Sequence, residues 1–304
     1  MKQTLPKSFD VLGNIAIVNF PRDFKLGAKK KFAEKLLKEH KNIKTVLEKS
    51  GRVKGRLRKP TTRHLAGEKT KEVLYKENDC VFRFNVDTTY FSPRLSNERK
   101  EIASLIKKNE DVLVMFAGVA PFSIVIAKKS KARRVVSNEI NREASKYAKL
   151  NVERNNVKDR VEVVQGDIKK WVEKLREKGV VSVGGNEKMP PFSASRKERE
   201  ENRGLPRFDV IVMPRPQLKD TFLEQAFMLS KKGTRIYYYD FCRVGEAPLG
   251  VPQSTEFRGK DLIVEKIKKE AERDKKKIKI LKVKKAGEIA PYKIRLRVDF
   301  KILN

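Results

Sequence analysis

The segment that most constrains the fold is VLVMFAGVAPFS, residues 112–123. The apolar run Val112–Met115 predicts a buried strand, and the small residues Ala117 and Gly118 predict a tight turn that opens into a helix. In a doubly wound sheet, a strand, turn and helix in this order form the ligand crevice at the carboxyl end of the first strand. The segment therefore predicts an open α/β sheet with a small-molecule pocket at this turn.

Strands and helices alternate along the remainder of the chain. The predicted strands are 134–138, 161–165, 208–213 and 234–240, and the predicted helices between them include 141–155 and 219–231. A basic helix at 258–276 and two closing strands, 278–285 and 292–302, follow. This alternation predicts a mostly parallel sheet with right-handed crossovers, and so an α/β fold class.

The first 100 residues predict a smaller α+β unit with a basic side. A predicted strand with a Gly-Asn turn over 9–20 precedes a predicted basic helix over 28–48, and residues 72–86 predict two strands with a turn at Asn78 and Asp79. Residues 180–207 differ from both units, because they are rich in Gly, Pro, Ser and charge and show no periodicity. They predict a flexible insertion.

The charge of the chain indicates its partner. Lys and Arg total 72 against 39 Asp and Glu, which gives a formal net charge of +33. Heat-adapted surfaces usually balance lysine with glutamate, so this excess favours a polyanion, and RNA fits better than a membrane. No run is long enough for a transmembrane helix and the N-terminus lacks a signal-peptide core, which predicts a cytoplasmic protein.

Metal chemistry is not expected. The chain has two cysteines, Cys80 and Cys242, and two histidines, His40 and His64, in no metal-binding spacing. A structural zinc site needs four ligands, so we expect no metal. A disulfide is not expected in this compartment either, and both cysteines are predicted to be small buried residues.

Three positions after successive strands suit S-adenosylmethionine. Ala117 and Gly118 would let the backbone approach the amino-acid end, Glu139 would accept the ribose hydroxyls, and Asp167 would read the adenine edge. The absence of GxGxxG and GxxxxGK[ST] disfavours a dinucleotide and ATP. Each acid taken alone is also typical of a helix N-cap. Together they predict a Rossmann-like class I S-adenosylmethionine-dependent methyltransferase domain over 101–304, with the α+β unit over 1–100 binding RNA.

A second group of polar residues precedes this pocket in YFSPRLSNER. Arg94 and Glu98 are four residues apart and would share one face of a helix. They either form a surface ion pair worth about 0–1 kcal/mol, or a general base held by an arginine that also stabilises charge on a carbonyl oxygen. Tyr90 could stack on an extruded base.

Several motifs resemble those of the archaeal and eukaryotic tRNA (guanine-37-N1)-methyltransferase family and its wyosine-pathway relatives. They are HLAGE (64–68), YKEN (75–78), YFSPRLSNER (90–99), MFAGVAPFS (115–123), MPRP (213–216) and APYKIRLRVDFKI (290–302). The resemblance implies methyl transfer from S-adenosylmethionine to N1 of the guanosine 3′ of the anticodon, with tRNA as the partner. It implies a catalytic group of Glu98, Arg94 and Arg58. It places Tyr90, Arg99, Pro214, Arg215 and Pro216 at the target base, and Phe116, Ala117, Gly118, Glu139 and Asp167 at the cofactor.

Three departures from the family pattern keep alternatives open. Val114 replaces an acid, Pro214 replaces an asparagine, and the separate N-terminal domain of the family is expected to be absent. The alternatives are aminocarboxypropyl transfer or methylation of a tricyclic wyosine precursor on the same tRNA position, and a non-catalytic tRNA-binding paralogue. The sequence does not determine the oligomeric state, for which a monomer is the working expectation.

Overall fold

A computed structural model of the chain describes residues 9–21, 23–54, 59–178, 205–214, 220–243, 255–290 and 292–304. The helices are α1 (Leu26–Glu39), α2 (Ser96–Leu105), α3 (Pro121–Lys129), α4 (Arg142–Arg154), α5 (Ile168–Lys178), α6 (Leu223–Met228) and α7 (Thr255–Arg273). The first six strands are β1 (Phe9–Leu12), β2 (Ile15–Val18), β3 (Thr45–Lys54), β4 (Lys59–Gly67), β5 (Glu72–Glu77) and β6 (Cys80–Asn85). The others are β7 (Asp111–Met115), β8 (Arg134–Glu139), β9 (Val161–Gln165), β10 (Phe208–Met213), β11 (Ser230–Arg243), β12 (Ile278–Ala290) and β13 (Lys293–Ile302).

The main sheet confirms the predicted α/β fold. Its order is β12-β13-β11-β10-β7-β8-β9. The strands from β7 to β11 pair in parallel, whereas β13 runs antiparallel to both of its neighbours. The chain moves outward from β7 to β9 on one side and then crosses to β10 on the other. Strand order therefore reverses between β7 and β10, which is where open α/β sheets bind ligands.

The N-terminal unit is a four-stranded sheet, β1-β2-β3-β4, covered by α1. Its apolar core includes Val18, Leu36 and Val46. The predicted helix over 28–48 is too long: α1 ends at Glu39, and β3 begins at Thr45 and pairs in parallel with β2. Thr45 and Val46 are β-branched and fully buried, so packing in the sheet outweighs the apolar periodicity that suggested helix.

The β5–β6 hairpin connects this unit to the main sheet. Asn78 and Asp79 form its turn with φ of 48° and 56°, as the Asn-Asp pair predicted. Phe82 and Phe84 pack in the same apolar cluster as Val112 of β7. The hairpin therefore packs on the main sheet, and the unit boundary predicted at residue 100 lies within α2.

Other predictions concern regions outside the two sheets. Of the predicted insertion over 180–207, residues 180–204 lie outside the described residues, while Leu205 packs on the core and Arg207 donates to the Met228 and Ser230 carbonyls. The predicted helix over 219–231 is shorter, because Ser230 already pairs with Phe208 in the sheet. Both cysteines are buried and free, as predicted.

Among the described residues, no helix is long and apolar enough to cross a membrane. No group of three or more histidine, cysteine, aspartate or glutamate side chains in those ranges could hold a metal ion.

Candidate active site

A cavity lies at the carboxyl ends of β7 and β8, at the reversal of strand order. It encloses about 720 Å³, including its open mouth. Most of its wall is apolar or aromatic, with a few polar groups, as is usual for small-molecule sites. Seven of the residues predicted for the site line it: Tyr90, Arg99, Phe116, Ala117, Gly118, Glu139 and Pro214.

The turn after β7 forms the floor of the cavity. Phe116, Gly118 and Ala120 have φ of 56°, 60° and 65°, so the chain enters the left-handed region three times within five residues. Such a conformation costs about 1–3 kcal/mol for a non-glycine residue and tends to occur at functional sites. The Ala117 amide donates to the Asn138 carbonyl at 2.9 Å, which ties the turn to the end of β8.

Glu139 at the end of β8 is fixed by backbone amides. Its Oε2 accepts the Gly118 N–H and its Oε1 accepts the Asn141 N–H, each at 2.7 Å. The side chain is buried at the cavity wall. The arrangement provides an ionisable acceptor for ligand hydroxyl groups.

Asp167 is positioned differently from Glu139. Its Oδ1 accepts the Lys169 N–H at 3.0 Å and its carbonyl accepts the Trp171 N–H at 2.9 Å, so it caps the start of α5. Asp167 does not line the cavity, which does include Asn141 and Ala144 on the β8 side. Its predicted contact with the cofactor stays a prediction.

Arg99 lines the cavity but its guanidinium is already bound. Its Nε and Nη2 donate to the two carboxylate oxygens of Glu77 of β5, at 2.6 Å between Nη2 and Oε2, and Nη2 also donates to the Ser92 carbonyl at 3.0 Å. The Phe91 and Phe122 rings lie 5.1 and 5.7 Å from its Cζ. Both members of the ion pair are buried, so Arg99 shapes the wall through fixed contacts.

Glu98 does not line the cavity, although Leu95, three residues before it, and Arg99, the next residue, both do. Its Oε2 accepts the Tyr239 hydroxyl at 3.0 Å and Nη1 of Arg297 at 2.9 Å. Its Oε1 lies 2.7 Å from Nζ of Lys284. Glu98 is therefore a buried carboxylate held by two cations and a tyrosine.

The same cations hold two further carboxylates. Arg297 is fully buried, pairs with both oxygens of Asp299 and reaches Glu101 at 2.9 Å. Burial raises the pKa of Asp299, although Arg297 opposes the shift. Burial would also raise the pKa of Glu101, but hydrogen bonds from Lys284 and Arg297 outweigh burial and lower that pKa. Burial raises the pKa of Tyr239 well above its usual value, so its hydroxyl stays a donor.

The remaining predicted residues lie elsewhere. The Arg94 side chain is 65% exposed and its closest ionic contact is Asp10, at 3.9 Å. In the structure Arg94 therefore lies at the surface, facing β1, and not beside Glu98. Arg58, Arg215 and Pro216 fall outside the described residues. Val114, the departure from the family pattern, is buried in β7 and packs in the core.

Sequence reasoning did not identify several residues of the site. Asn141 and Arg295 line the cavity, and Tyr239 and Arg297 hold Glu98. Both arginines belong to the C-terminal motif APYKIRLRVDFKI, which carried part of the resemblance but suggested no role for them. Only the antiparallel pairing of β13 with β11 brings that motif to the site.

Comparison with known proteins identifies the family. The TRM5/TYW2 methyltransferase domain matches residues 73–184, and the TYW2 N-terminal domain matches residues 1–70. A tRNA (guanine(37)-N(1))/4-demethylwyosine(37)-methyltransferase, Taw22, from Nanoarchaeum equitans is 37% identical over 253 residues, which cover 76% of this chain and 84% of that protein. The chain belongs to the TRM5/TYW2 methyltransferase family. S-adenosylmethionine is the cofactor of this family.

Solved structures agree with this assignment. The crystal structure of Trm5b from Pyrococcus abyssi is 30% identical, with a TM-score of 0.73, and the match covers 99% of this chain and 76% of that chain. The structure of Pyrococcus horikoshii TYW2 in complex with MeSAdo has a TM-score of 0.71 at 21% identity, covering 98% and 92% of the two chains, and so supports the fold. The match to the TRM5/TYW2 methyltransferase domain ends at residue 184, within the insertion predicted at 180–207.

Proposed function

We propose that this TRM5/TYW2 protein transfers a methyl group from S-adenosylmethionine to N1 of guanosine 37 in tRNA. The observation that carries the proposal is the cavity at the strand reversal, with Glu139 in its wall and the buried Glu98 next in the chain to Arg99, which also lines the cavity. The relatives from Nanoarchaeum equitans and Pyrococcus abyssi, named as tRNA guanine-37 methyltransferases, support it.

The cavity fits S-adenosylmethionine. Gly118 has a φ of +60°, a left-handed conformation that favours glycine at this position of the turn. Phe116, Ala117 and Gly118 would hold the cofactor along the floor, Glu139 would accept its ribose hydroxyls, and Asp167 remains the proposed contact for adenine. When bound, the cofactor supplies an electrophilic methyl group.

Glu98 is the proposed general base for the N1 proton. A base must come within hydrogen-bond reach of its proton, and contacts seen without substrate often tighten only in the complex. Arg297 and Tyr239 fix Oε2 from the buried side, whereas Lys284, whose side chain is 24% exposed, contacts Oε1. If the guanine N1–H replaces Lys284 at Oε1 of Glu98, then Arg297 and Tyr239 still hold Oε2 in place. Oε1 is then available to accept the N1 proton.

Base recognition is proposed for the mouth of the cavity. Tyr90 and Pro214 line it and offer surfaces on which an extruded guanine could stack. Arg58, Arg94, Arg99, Arg215 and Pro216 complete the proposed set of residues around the base. The N-terminal unit is the proposed RNA-binding module, and the net charge of +33 would draw it to the tRNA backbone.

A second candidate is methylation of 4-demethylwyosine at the same position. Two observations favour it: the Nanoarchaeum equitans relative is named for both reactions, and residues 1–70 match the TYW2 N-terminal domain. Pro214, where the family pattern has an asparagine, lines the cavity and alters its polar edge. Transfer of the aminocarboxypropyl group to the same tRNA position is the third reaction to be tested.

One experiment separates these products. The protein is incubated with cofactor carrying distinct isotopes in the methyl and aminocarboxypropyl groups, and with tRNA bearing either guanosine or 4-demethylwyosine at position 37. Nucleoside mass spectrometry should find labelled 1-methylguanosine in the first tRNA and none in a control tRNA with adenosine 37. Label only in the second tRNA would replace the main proposal with the wyosine reaction, and the aminocarboxypropyl isotope in RNA would replace both.

A further inference from the structure

The β5–β6 hairpin has asparagine side chains on both of its outer edges. The edges of a two-stranded sheet leave backbone N–H and C=O groups unpaired. On the β5 edge, Asn14 of the N-terminal unit accepts the Leu74 N–H through Oδ1 at 2.9 Å. On the β6 edge, Asn151 of α4 accepts the Arg83 N–H at 2.7 Å and donates to the Arg83 carbonyl at 3.0 Å.

These two contacts meet at one cross-strand pair. Leu74 and Arg83 lie directly opposite each other in the hairpin. Asn14 therefore binds the outward-facing backbone N–H of Leu74. Asn151 binds the outward-facing backbone groups of Arg83, the cross-strand partner of Leu74. Asn155, one turn after Asn151 on α4, binds Val81 in the same way, with bonds of 2.8 and 2.7 Å.

Each asparagine is also fixed within its own unit. The Asn14 carbonyl accepts the Lys44 N–H at 2.8 Å, immediately before β3. Asn151 is fully buried, and its Nδ2 also lies 3.2 Å from the carbonyl oxygen of Val119. Val119 belongs to the turn that forms the cavity floor. The hairpin is thus hydrogen-bonded to the N-terminal unit on one edge and to α4 on the other, and Asn151 also bonds to the turn of the cavity floor.

Gly13 allows the close approach between the β1–β2 turn and β5 on which the Asn14–Leu74 hydrogen bond depends. Its φ is +56°, and a β-carbon there would lie 2.0 Å from the Leu74 carbonyl oxygen. Ile15 and Leu47 pack in the same apolar cluster as Val73, but apolar contact has no direction. The asparagine bonds therefore set the orientation of the unit, and the bond from the Thr62 hydroxyl to Asp87 at 2.7 Å adds a second tie.

We propose that Asn14 and Asn151 are positioning residues that hold the N-terminal unit at a fixed orientation to the cofactor turn. The consequence for catalysis rests on the function proposed above. If the unit binds the tRNA, its orientation decides where guanosine 37 meets the cavity. Misplacement of reacting groups by about 1 Å can reduce a rate by about 100-fold.

Distance measurement tests the proposal without any substrate. Spin labels on K38C in α1 and K149C in α4, both exposed positions, report the separation of the two units, while Cys80 and Cys242 are buried. In the protein without an asparagine substitution we expect one narrow distribution of distances between the labels. Asn14→Ala should at least double the width of this distribution. Asn42→Ala, at an exposed asparagine of the same unit, should leave the width unchanged. An unchanged width with Asn14→Ala overturns the proposal.

Kinetics then test the role in the reaction. Asn14→Ala should lower kcat on tRNA at least tenfold, with the Kd for S-adenosylmethionine within twofold of the original. Asn14→Asp, which keeps an oxygen for the Leu74 amide, should recover activity to within threefold. Broadened distances with unchanged kcat would overturn the positioning role. A chain without transfer activity would refute the proposed function, and the distance widths would still decide the docking.

Asn151→Asp provides an independent variant. It keeps the acceptor for the Arg83 amide but places an oxygen against the carbonyls of Arg83 and Val119. We expect the same broadening together with weaker cofactor binding, because Val119 lies in the cofactor turn. Narrow distances and unchanged cofactor affinity in a folded Asn151→Asp protein would overturn its role as a positioning residue.

Discussion

Two buried glutamates, Glu139 and Glu98, are held in different ways. Glu139 accepts two backbone N–H groups and lines the cavity. Glu98 is bound by Arg297, Lys284 and Tyr239 and does not line the cavity. Backbone amides cannot leave without moving the chain, whereas a lysine side chain can exchange its partner. The first arrangement suits a permanent ligand acceptor, and the second suits a group that must take up a proton.

The largest effect is expected from Glu98→Gln. An amide cannot take up the N1 proton, so kcat should fall about 1,000-fold, within the range for loss of a general base. The Kd for S-adenosylmethionine, measured by calorimetry, should stay within about twofold because Glu98 does not line the cavity. A comparable loss of cofactor affinity would show that the two glutamates do not have separate roles.

Glu139→Gln should give the reverse result. Loss of a charged acceptor for ribose hydroxyls should raise the Kd for S-adenosylmethionine about 30-fold, corresponding to about 2 kcal/mol. At saturating cofactor the KM for tRNA should be unchanged. Equal affinity in the variant and the original protein would contradict the assignment of Glu139.

Removal of one cation tests the Glu98 network through the rate constant. Lys284→Met removes the contact that holds Oε1 of Glu98, so kcat should fall about tenfold because the proposed base is less well positioned. Arg297, Tyr239, Glu101 and Asp299 remain as the other polar groups of the network. Lys285→Met is the matched control, because Lys285 pairs with Glu288 instead. Equal kcat values for the two variants would exclude a role for Lys284.

The smallest effect concerns stability at acid pH. The pKa of Glu101 is lowered from 4.5 in the folded chain, so its contribution is present above pH 4.5 and is lost as pH falls through the folded pKa. Glu101→Gln lacks this contribution at every pH. Its free energy of unfolding, from urea titrations, should therefore decline less steeply below pH 4.5 than that of the original chain. Parallel curves of unfolding free energy against pH for the two proteins would show that Glu101 is not the source of the acid sensitivity. Glu143→Gln is the control, because Glu143 forms an exposed ion pair with Lys146.

Local sequence signals were sufficient to bring Ala117, Gly118 and Glu139 to one cavity. Ala117 and Gly118 come after β7 and Glu139 ends β8, and parallel strands bring their carboxyl ends to one edge of a sheet. Their contacts with the cofactor stay predictions. The proposed catalytic side was harder to predict. Arg94 and Glu98 share a helical spacing, yet Arg94 lies at the surface and Glu98 pairs with Arg297, a residue 199 positions away. No local pattern reports such a pairing.

The sequence by itself determined the α/β class, the pocket turn, the basic character and the family resemblance, because these depend on periodicity, residue size, net charge and motifs. The tertiary structure decided the partners of Glu98, the end of α1 and the docking of the N-terminal unit on the β5–β6 hairpin. Each of these depends on contacts between distant segments, as when Asn14 meets Leu74 and Asn151 meets Arg83. Directional hydrogen bonds between such segments form only after both strands and helices have packed.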